Sequence, residues 1–416
     1  MRPAFHHTPS AMWMNDPNGL VFDGGVYHLH YQYHPGSAVW GPMHWGHATS
    51  TDLLHWQEQP VALAPDALGM VFSGCIVIDH ADTSGFGERG IAPWVALYTS
   101  HGDTEAQSIA ISLDQGRSWR RHTGNPVLPN PGVKDIRDPK VFWHAERGHW
   151  VMCLAAGDHI RLYASADLQA WALLSSFGGP GVGAHGGVWE CPDLIPFELD
   201  GRPKWVLLVS INPGGPNGGS ATQYFAGHFD GEHFEPEHTD IRWLDHGPDH
   251  YAGVTWHGVQ GRVLLTGWMS NWLYAQQLPT APWRGAMTLP RELRLTNLHG
   301  RALLAQQPAR EAAAHVMRLQ REPGFTLKLA NRAGDEVLIG HDTTSNRFFI
   351  DRSRSGGVDF HAGFAGRHHA PRVAESPTIG LELVLDACSI ELFADGGLST
   401  LTSLVFPREP LQLQEP

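Results

Sequence analysis

Cationic side chains are scarce in this chain of 416 residues, with 29 Lys and Arg against 42 Asp and Glu and a formal net charge of −13. Such a balance argues against nucleic acid or an anionic membrane as partner, and says little about fold. Charged residues of both signs reach only 17%, which suits neither a helical bundle nor a disordered chain. Cysteine is also thin. The four, Cys75, Cys153, Cys191 and Cys388, are scattered without a Cys-x-x-Cys pair, so structural thiols are expected and a disulfide framework is not. No apolar run approaches transmembrane length, and no charged segment leading into an apolar one precedes Trp13. The chain as given is therefore expected in the cytoplasm, or secreted or periplasmic if its N-terminus was trimmed.

What the chain has in plenty is glycine (47), proline (30) and tryptophan (16). That composition fits an all-β protein with many turns and an aromatic-lined cleft. From Met12 to about Asn297, short β-type runs are broken by Gly, Pro, Asn and Asp, with few convincing amphipathic helices. A weak internal echo runs through this region: Ser50-Thr51-Asp52…Trp56, Ser112-Leu113-Asp114…Trp119, Ser165-Ala166-Asp167…Trp171 and His228-Phe229-Asp230…Phe234. Successive aspartates lie 62, 53 and 63 residues apart. A four-stranded sheet with its turns needs roughly 40–50 residues, so the period predicts propeller blades with generous loops, about five of them.

The candidate site residues keep the same beat. Asp16, Ser73, Asp138, Glu190 and Tyr251 are separated by 57, 65, 52 and 61 residues. In a propeller, equivalent places on the innermost strands converge on the axis, so carboxylates remote in sequence would meet in one pocket. Asp16 sits in Trp13-Met14-Asn15-Asp16-Pro17-Asn18-Gly19, which on its own reads as a turn into a β-hairpin. Carboxyl groups converging in an uncharged, aromatic-rich pocket suit glycosidic bond cleavage, in which one carboxylate is nucleophile and one carboxylic acid protonates the leaving oxygen. Like charges and partial burial would raise the pKa of that acid. Arg137 beside Asp138 would keep Asp138 ionised. Each residue also has a plainer reading: Arg137–Asp138 as a structural ion pair, Trp40, Trp45 and Trp268 as core aromatics, Cys191 as a small buried residue.

Beyond Arg291 the texture changes. Glu292–Leu295 and Ala302–Ala305 suggest a hairpin, and Glu311–Leu319 a short helix or extended linker. Alternating runs then recur from Phe325 to Phe406, with Asp395-Gly396-Gly397 as a hairpin turn. The expectation is a catalytic propeller over residues 1–305 and a smaller β-sandwich over residues 306–416. Of the 27 histidines, His28 and His30 lie two apart on an expected strand, but no partner is spaced to complete a metal site, and no metal is expected. His6-His7 and His368-His369 are expected in solvated loops.

As an ordered set the motifs are more specific. Trp13–Gly19, Tyr31-Gln32-Tyr33, Trp40–His47, Phe72-Ser73-Gly74, Arg137-Asp138-Pro139-Lys140, Trp189-Glu190-Cys191-Pro192-Asp193-Leu194, Gly267–Trp272 and Pro282–Thr288 resemble glycoside hydrolase family 32. This is the family of invertases, exo-inulinases, levanases and other β-fructosidases. The resemblance implies an all-β fold, a five-bladed β-propeller followed by a small C-terminal β-sandwich, and double-displacement hydrolysis of β-fructofuranosides without a cofactor. It implies Asp16 as nucleophile, Glu190 as general acid then base, and Asp138 as the stabiliser that grips fructose hydroxyls. Asn15, Gln32, Trp40, Ser73, Arg137 and Trp268 are the implied substrate-binding residues. His34-Pro35 and Cys75 depart from the family pattern, both at the expected pocket rim. The glycine-rich Asn212–Ser220 and Gly183–Gly187 are similar to the exo-inulinase and levanase branch. The expected partner is a fructose-containing oligo- or polysaccharide, acted on by a monomer or homodimer. The alternatives are a sucrose-preferring invertase, a fructosyltransferase and a catalytically silent carbohydrate-binding propeller.

Overall fold

The computed structural model describes residues 2–414. Five antiparallel four-stranded sheets follow one another along the chain, each laid down in sequence order from inside to outside. The innermost strands are Met12–Asp23, Met70–Ile78, Ile136–His144, Val188–Leu199 and Tyr251–Thr255. This is a five-bladed propeller. Burial falls outward: Tyr251–Thr255 is buried throughout, whereas the outer strands Gln57–Leu63 and Ala172–Phe177 are largely exposed.

The two-residue period of a strand explains the packing. On the second strand of the third blade, Val151, Cys153 and Ala155 pack against the fourth blade through Leu194, Leu207 and Val209. Their neighbours Met152, Leu154 and Ala156 pack the opposite way, with Val77, Val95 and Leu97 of the second blade. Both faces of a middle strand are thus buried, which is why its sequence reads as a nearly continuous apolar run. The ring closes where Trp283–Arg284 pairs in parallel with Met12 and Trp13, adding a fifth strand to the first sheet.

The aspartate echo is one turn used repeatedly, joining the third and fourth strands of a blade. Asp52 Oδ1 accepts from the backbone N–H of Leu54 (3.0 Å) and His55 (2.8 Å). Asp167 Oδ1 does the same for Gln169 (2.8 Å) and Ala170 (2.9 Å). In all four turns the residue after the aspartate is left-handed: Leu53, Gln115, Leu168 and Gly231 have φ of 64°, 60°, 61° and 95°. The aspartate's side chain takes the place of a backbone acceptor there.

The hairpin Arg291–Leu298 and Arg301–Pro308 ends the fifth blade. A 3₁₀ turn, Arg310–His315, leads into two facing sheets, one of four strands and one of five, around a core that includes Leu329, Ile339, Ile350, Leu383, Leu392 and Leu401. Buried ion pairs join the sandwich to the propeller. Arg291 Nη1 donates to Asp245 Oδ2 (2.8 Å) and its Nη2 to Glu391 Oε2 (2.5 Å), while Arg352 pairs with Asp249.

Three sequence expectations are overturned here. His6 and His7 are not solvated: His6 lies buried between Asp386 Oδ2 (2.8 Å) and Glu391 Oε1 (2.7 Å). His368 is buried in the strand Arg367–Pro371, beside Arg352. Cys75 is not at a pocket rim but within the core between the second and third blades, where its sulfur accepts from the Val141 N–H at 3.2 Å. His368 and Cys75 follow strand alternation inward, whereas His6 lies outside any strand and is drawn in by its two carboxylate partners, which no local pattern reveals.

Candidate active site

Each innermost strand breaks register at its candidate residue. Irregularities fall between Met14 and Pro17, Val71 and Gly74, Glu190 and Asp193, and Tyr251 and Val254; opposite Asp138 the break lies between Cys153 and Ala155. Asp138, Cys191 and Ala252 also take left-handed backbone conformations, with φ of 66°, 46° and 53°. A regular strand would send alternate side chains into the two neighbouring blades. The bulges instead turn one side chain per strand toward the propeller axis.

There Asp16, Ser73, Asp138 and Glu190 line a cavity of 340 Å³, together with Asn15, Gln32, Trp40 and Arg137. Ser73 Oγ donates to Asp16 Oδ2 (2.8 Å), and Asn15 Nδ2 to Asp16 Oδ1 (3.1 Å). Asn15 is itself held by Trp13 Nε1 (2.7 Å). The Cys191 N–H donates to Asp138 Oδ2 at 3.0 Å, and Cys191 Sγ lies 3.5 Å from Asp138 Oδ2 and 3.7 Å from Asp16 Oδ2. One sulfur therefore floors two carboxyl groups. Glu190 is held on both oxygens: Arg137 Nη2 donates to Oε1 (3.0 Å) and the Tyr251 hydroxyl donates to Oε2. Gln32 Nε2 is spent on Asn18 Oδ1 (2.7 Å) and Val71 O (3.0 Å), which fixes its amide and leaves its Oε1 as the acceptor.

Burial pushes Asp16 up to about 6, helped by the charge of Glu190 and opposed by the Ser73 and Asn15 hydrogen bonds. Burial also pushes Asp138 up, to about 8, with Arg137 opposing and the charges of Glu190 and Asp16 adding to it. The expectation that Arg137 keeps Asp138 ionised is thus reversed. The guanidinium points elsewhere, to Glu190, Glu105 Oε1 (3.0 Å) and Asp135 Oδ1 (3.0 Å), and its remaining pull on Asp138 is weaker than the cost of burying that charge.

Trp268 differs most from its expected place. It is fully buried, packs on Trp13 with ring centroids 5.8 Å apart, and supports Trp272 at 4.8 Å. Trp272 lines the cavity and Trp268 does not. Also unforeseen are Phe72 as a wall and Glu105, His101 and Asp135 at the mouth. Trp272 and Phe72 lay inside quoted motifs, whereas nothing in the sequence around Glu105 marks it. Among the described residues, no cluster of three or more His, Cys, Asp or Glu side chains is arranged to hold a metal ion. No helix among them is long and apolar enough to cross a membrane.

A propeller with this axial cluster can be set beside known proteins. Residues 6–308 match the glycosyl hydrolases family 32 N-terminal domain, and residues 305–414 the glycosyl hydrolases family 32 C terminal. The chain belongs to glycoside hydrolase family 32, and it is a glycoside hydrolase. It is 42% identical to a levanase of Bacillus subtilis over 98% of its own length and 66% of the levanase, so it spans about two thirds of that relative. It is 38% identical to an extracellular exo-inulinase of Aspergillus niger, covering 98% of this chain and 89% of that one. Among solved structures, the exo-inulinase of Aspergillus awamori superposes with a TM-score of 0.90 at 37% identity, over 98% and 93% of the two chains. A β-fructofuranosidase of Schwanniomyces occidentalis complexed with fructosyl-erythritol gives 0.89 at 33%, over 99% and 93%.

Proposed function

We propose that the protein is a retaining exo-β-fructosidase that removes terminal β-D-fructofuranosyl units from fructans, fructo-oligosaccharides and sucrose. The observation that carries this reading is the convergence of Asp16, Asp138 and Glu190, from three different blades, on one 340 Å³ cavity. The likeness to levanase and exo-inulinases supports the substrate class.

In the first step an Asp16 oxygen bonds to the anomeric C2 as the C2–O bond to the leaving sugar breaks. Glu190 delivers its proton to that leaving oxygen. In the second step Glu190 takes a proton from water, the water oxygen bonds to C2, and the ester to Asp16 breaks, releasing fructose and restoring both groups. Ser73 and Asn15 hold Asp16 in line for attack. Asp138, anchored by the Cys191 N–H, faces the ring hydroxyls and stabilises the oxocarbenium-like transition state through hydrogen bonds. Arg137 and Tyr251 fix the Glu190 carboxyl by its two oxygens.

Product analysis with sucrose, inulin and levan, beside a Glu190→Gln control, tests the reading. Fructose as the sole early product from a polymer, lost in the control, is the expected result. Larger oligosaccharides would mean endo cleavage or transfer, and turnover of sucrose alone would mean an invertase. No release from any of the three would overturn the fructosidase reading.

A further inference from the structure

The innermost strands run on past the carboxyl cluster toward the other end of the propeller axis. Ile76, Lys140, Asp193 and Thr255 come three, two, three and four residues after Ser73, Asp138, Glu190 and Tyr251 on the same strands. Residues of these four strands, with the segment 257–259 beyond the last, line a cavity of 200 Å³. Among the described residues, none lines both this cavity and the carboxyl cavity.

Three polar groups on its wall are only partly used. Asp193 spends its Oδ2 three times, accepting from the Thr255 N–H (2.8 Å) and hydroxyl (2.7 Å) and pairing with Lys140 Nζ (3.1 Å). No hydrogen bond among the described residues reaches its Oδ1. Lys140 Nζ also donates to Thr255 O (2.6 Å), which leaves one of its three protons over. His257 Nε2 accepts from the Ile78 N–H (3.2 Å), so the proton of the neutral ring sits on Nδ1, again without a partner among the described residues. Burial, with the charges of Lys140 and His80, holds that imidazole down at about 4 and so keeps it neutral. Neither Asp193 Oδ1 nor His257 Nδ1 is sealed from solvent, and both residues line the cavity. The charges here cancel: Lys140 is matched by Asp193, and Arg262 is taken up by Glu292, Glu311 and the Tyr27 hydroxyl. Ile76, Val141, Leu194, Ile195 and Val259 make the remaining wall largely aliphatic.

We infer that this cavity is a second, non-catalytic binding site for a small neutral polyol, whose neighbouring hydroxyls accept from Lys140 and His257 and donate to Asp193 Oδ1. An anion would meet the Asp193 carboxylate and a cation the Lys140 ammonium, whereas hydroxyls both donate and accept. The carbon chain of the polyol lies against the aliphatic wall. The carboxyl cavity, read as holding one fructosyl unit, measures 340 Å³, so a space of 200 Å³ limits the occupant to something smaller than a hexose. Glycerol and xylitol meet that limit. The site is built from residues outside the catalytic cluster, so the inference stands apart from the fructosidase reading.

Calorimetric titration with glycerol and xylitol, together with a crystal soaked in xylitol, tests the site. The expected result is xylitol within hydrogen-bonding distance of Lys140, Asp193 and His257. Val259→Trp fills the cavity, and it is expected to weaken xylitol binding about tenfold while leaving kcat/KM for sucrose within about twofold of wild type. His257→Gln keeps an acceptor for the Ile78 N–H and removes the ring Nδ1–H, and it is expected to weaken binding about fivefold. This second variant decides the matter if the tryptophan does not fold. Water alone at the three groups, or an affinity unmoved in a folded variant, would overturn the site. Xylitol in the crystal without heat of binding in solution would mean binding at crystal concentration only, and would overturn it too. Sulfate binding there in place of either polyol would overturn the ligand class. A protein that binds xylitol here yet releases no fructose from sucrose, inulin or levan would sink the fructosidase reading and leave this site standing.

Discussion

Ser73 Oγ donates a 2.8 Å hydrogen bond to Asp16 Oδ2, tying the innermost strands of the first two blades together at the carboxyl cluster. The bond favours the charged form of Asp16 against the burial that pushes its pKa up to about 6. Removing it in Ser73→Ala therefore raises the Asp16 pKa further. A net hydrogen bond to a charged group is worth about 1.5–3 kcal/mol, so a shift of roughly one to two pH units is expected. The acid limb of kcat/KM should move toward neutral pH in this variant, and an acid limb that stays put would remove Ser73 from the control of Asp16.

The wild-type pH profile follows from the same cluster. Asp16 must be ionised to attack, so activity rises as pH climbs through about 6. Asp138, pushed up to about 8 by burial and by the charges of Glu190 and Asp16, holds a proton below that pH, and its loss adds a further negative charge beside the developing bond. The expected kcat/KM curve is a bell with an acid limb near 6 and an alkaline limb near 8. Because the carboxyls interact, these limbs belong to the cluster and not to single residues. Full activity persisting at pH 4.5 would contradict the buried setting of Asp16.

The two tryptophans of the Gly267–Trp272 motif should separate cleanly. Trp268 is buried beneath the cavity and Trp272 lines it. Trp268→Ala leaves a large internal void, and a loss of about 3–5 kcal/mol in denaturant unfolding is expected. Trp272→Ala should cost less stability and chiefly raise KM, by about tenfold, through lost packing against the sugar. Equal stability losses would mean that both are core residues.

That pair marks how far the sequence could be read. The motif order and the beat of Asp16, Ser73, Asp138, Glu190 and Tyr251 place the innermost strands, because a propeller repeats one backbone unit at a near-constant interval. The aspartate turns were legible too, since a side chain that closes its own turn leaves a local signature. Which of the two tryptophans faces the cavity was not legible, because Trp268 ends the second strand of the fifth blade while Trp272 lies in the turn beyond it, where strand alternation no longer sets the direction of a side chain. Glu105 was hidden for a related reason. Its role comes from Arg137 and His101 on either side, contacts that span 32 and 4 residues and leave no spacing rule.

Histidines in the first blade predict acid sensitivity. His28, His30 and His47 are stacked, with His28 Nδ1 3.1 Å from His47 Nε2 and the His30 and His47 rings 4.2 Å apart. Burial lowers all three, His28 to about 4, His47 to about 3 and His30 well below its usual value. The unfolded chain therefore binds more protons than the folded one below about pH 6.5. Stability from this neutral stack is fully present above that pH and falls as the pH drops toward 4. Each such histidine contributes a slope of about 1.4 kcal/mol per pH unit. In urea titrations between pH 7 and pH 5, His47→Gln should lose less stability than wild type. A wild-type-like slope in the variant would show that the stack stays neutral for free.

His6 carries the opposite sign. Burial alone would depress its pKa, but the hydrogen bonds to Asp386 and Glu391 and the charges of both carboxylates raise it to about 9. Its folded form thus binds its proton more tightly than the unfolded chain does. The stabilisation is fully present below about pH 6.5 and is lost as the pH rises through about 9. Glu391 is shared with Arg291, so His6 belongs to the charge network that joins the propeller to the sandwich. His6→Gln leaves Asp386 and Glu391 without that charge, and a loss of about 3–5 kcal/mol is expected at pH 7. The same comparison at pH 10 should give a much smaller difference, since wild type has by then lost the proton as well. If the two proteins differ equally at both pH values, His6 holds the sandwich by shape and neutral hydrogen bonds, and the ionic account of the junction fails.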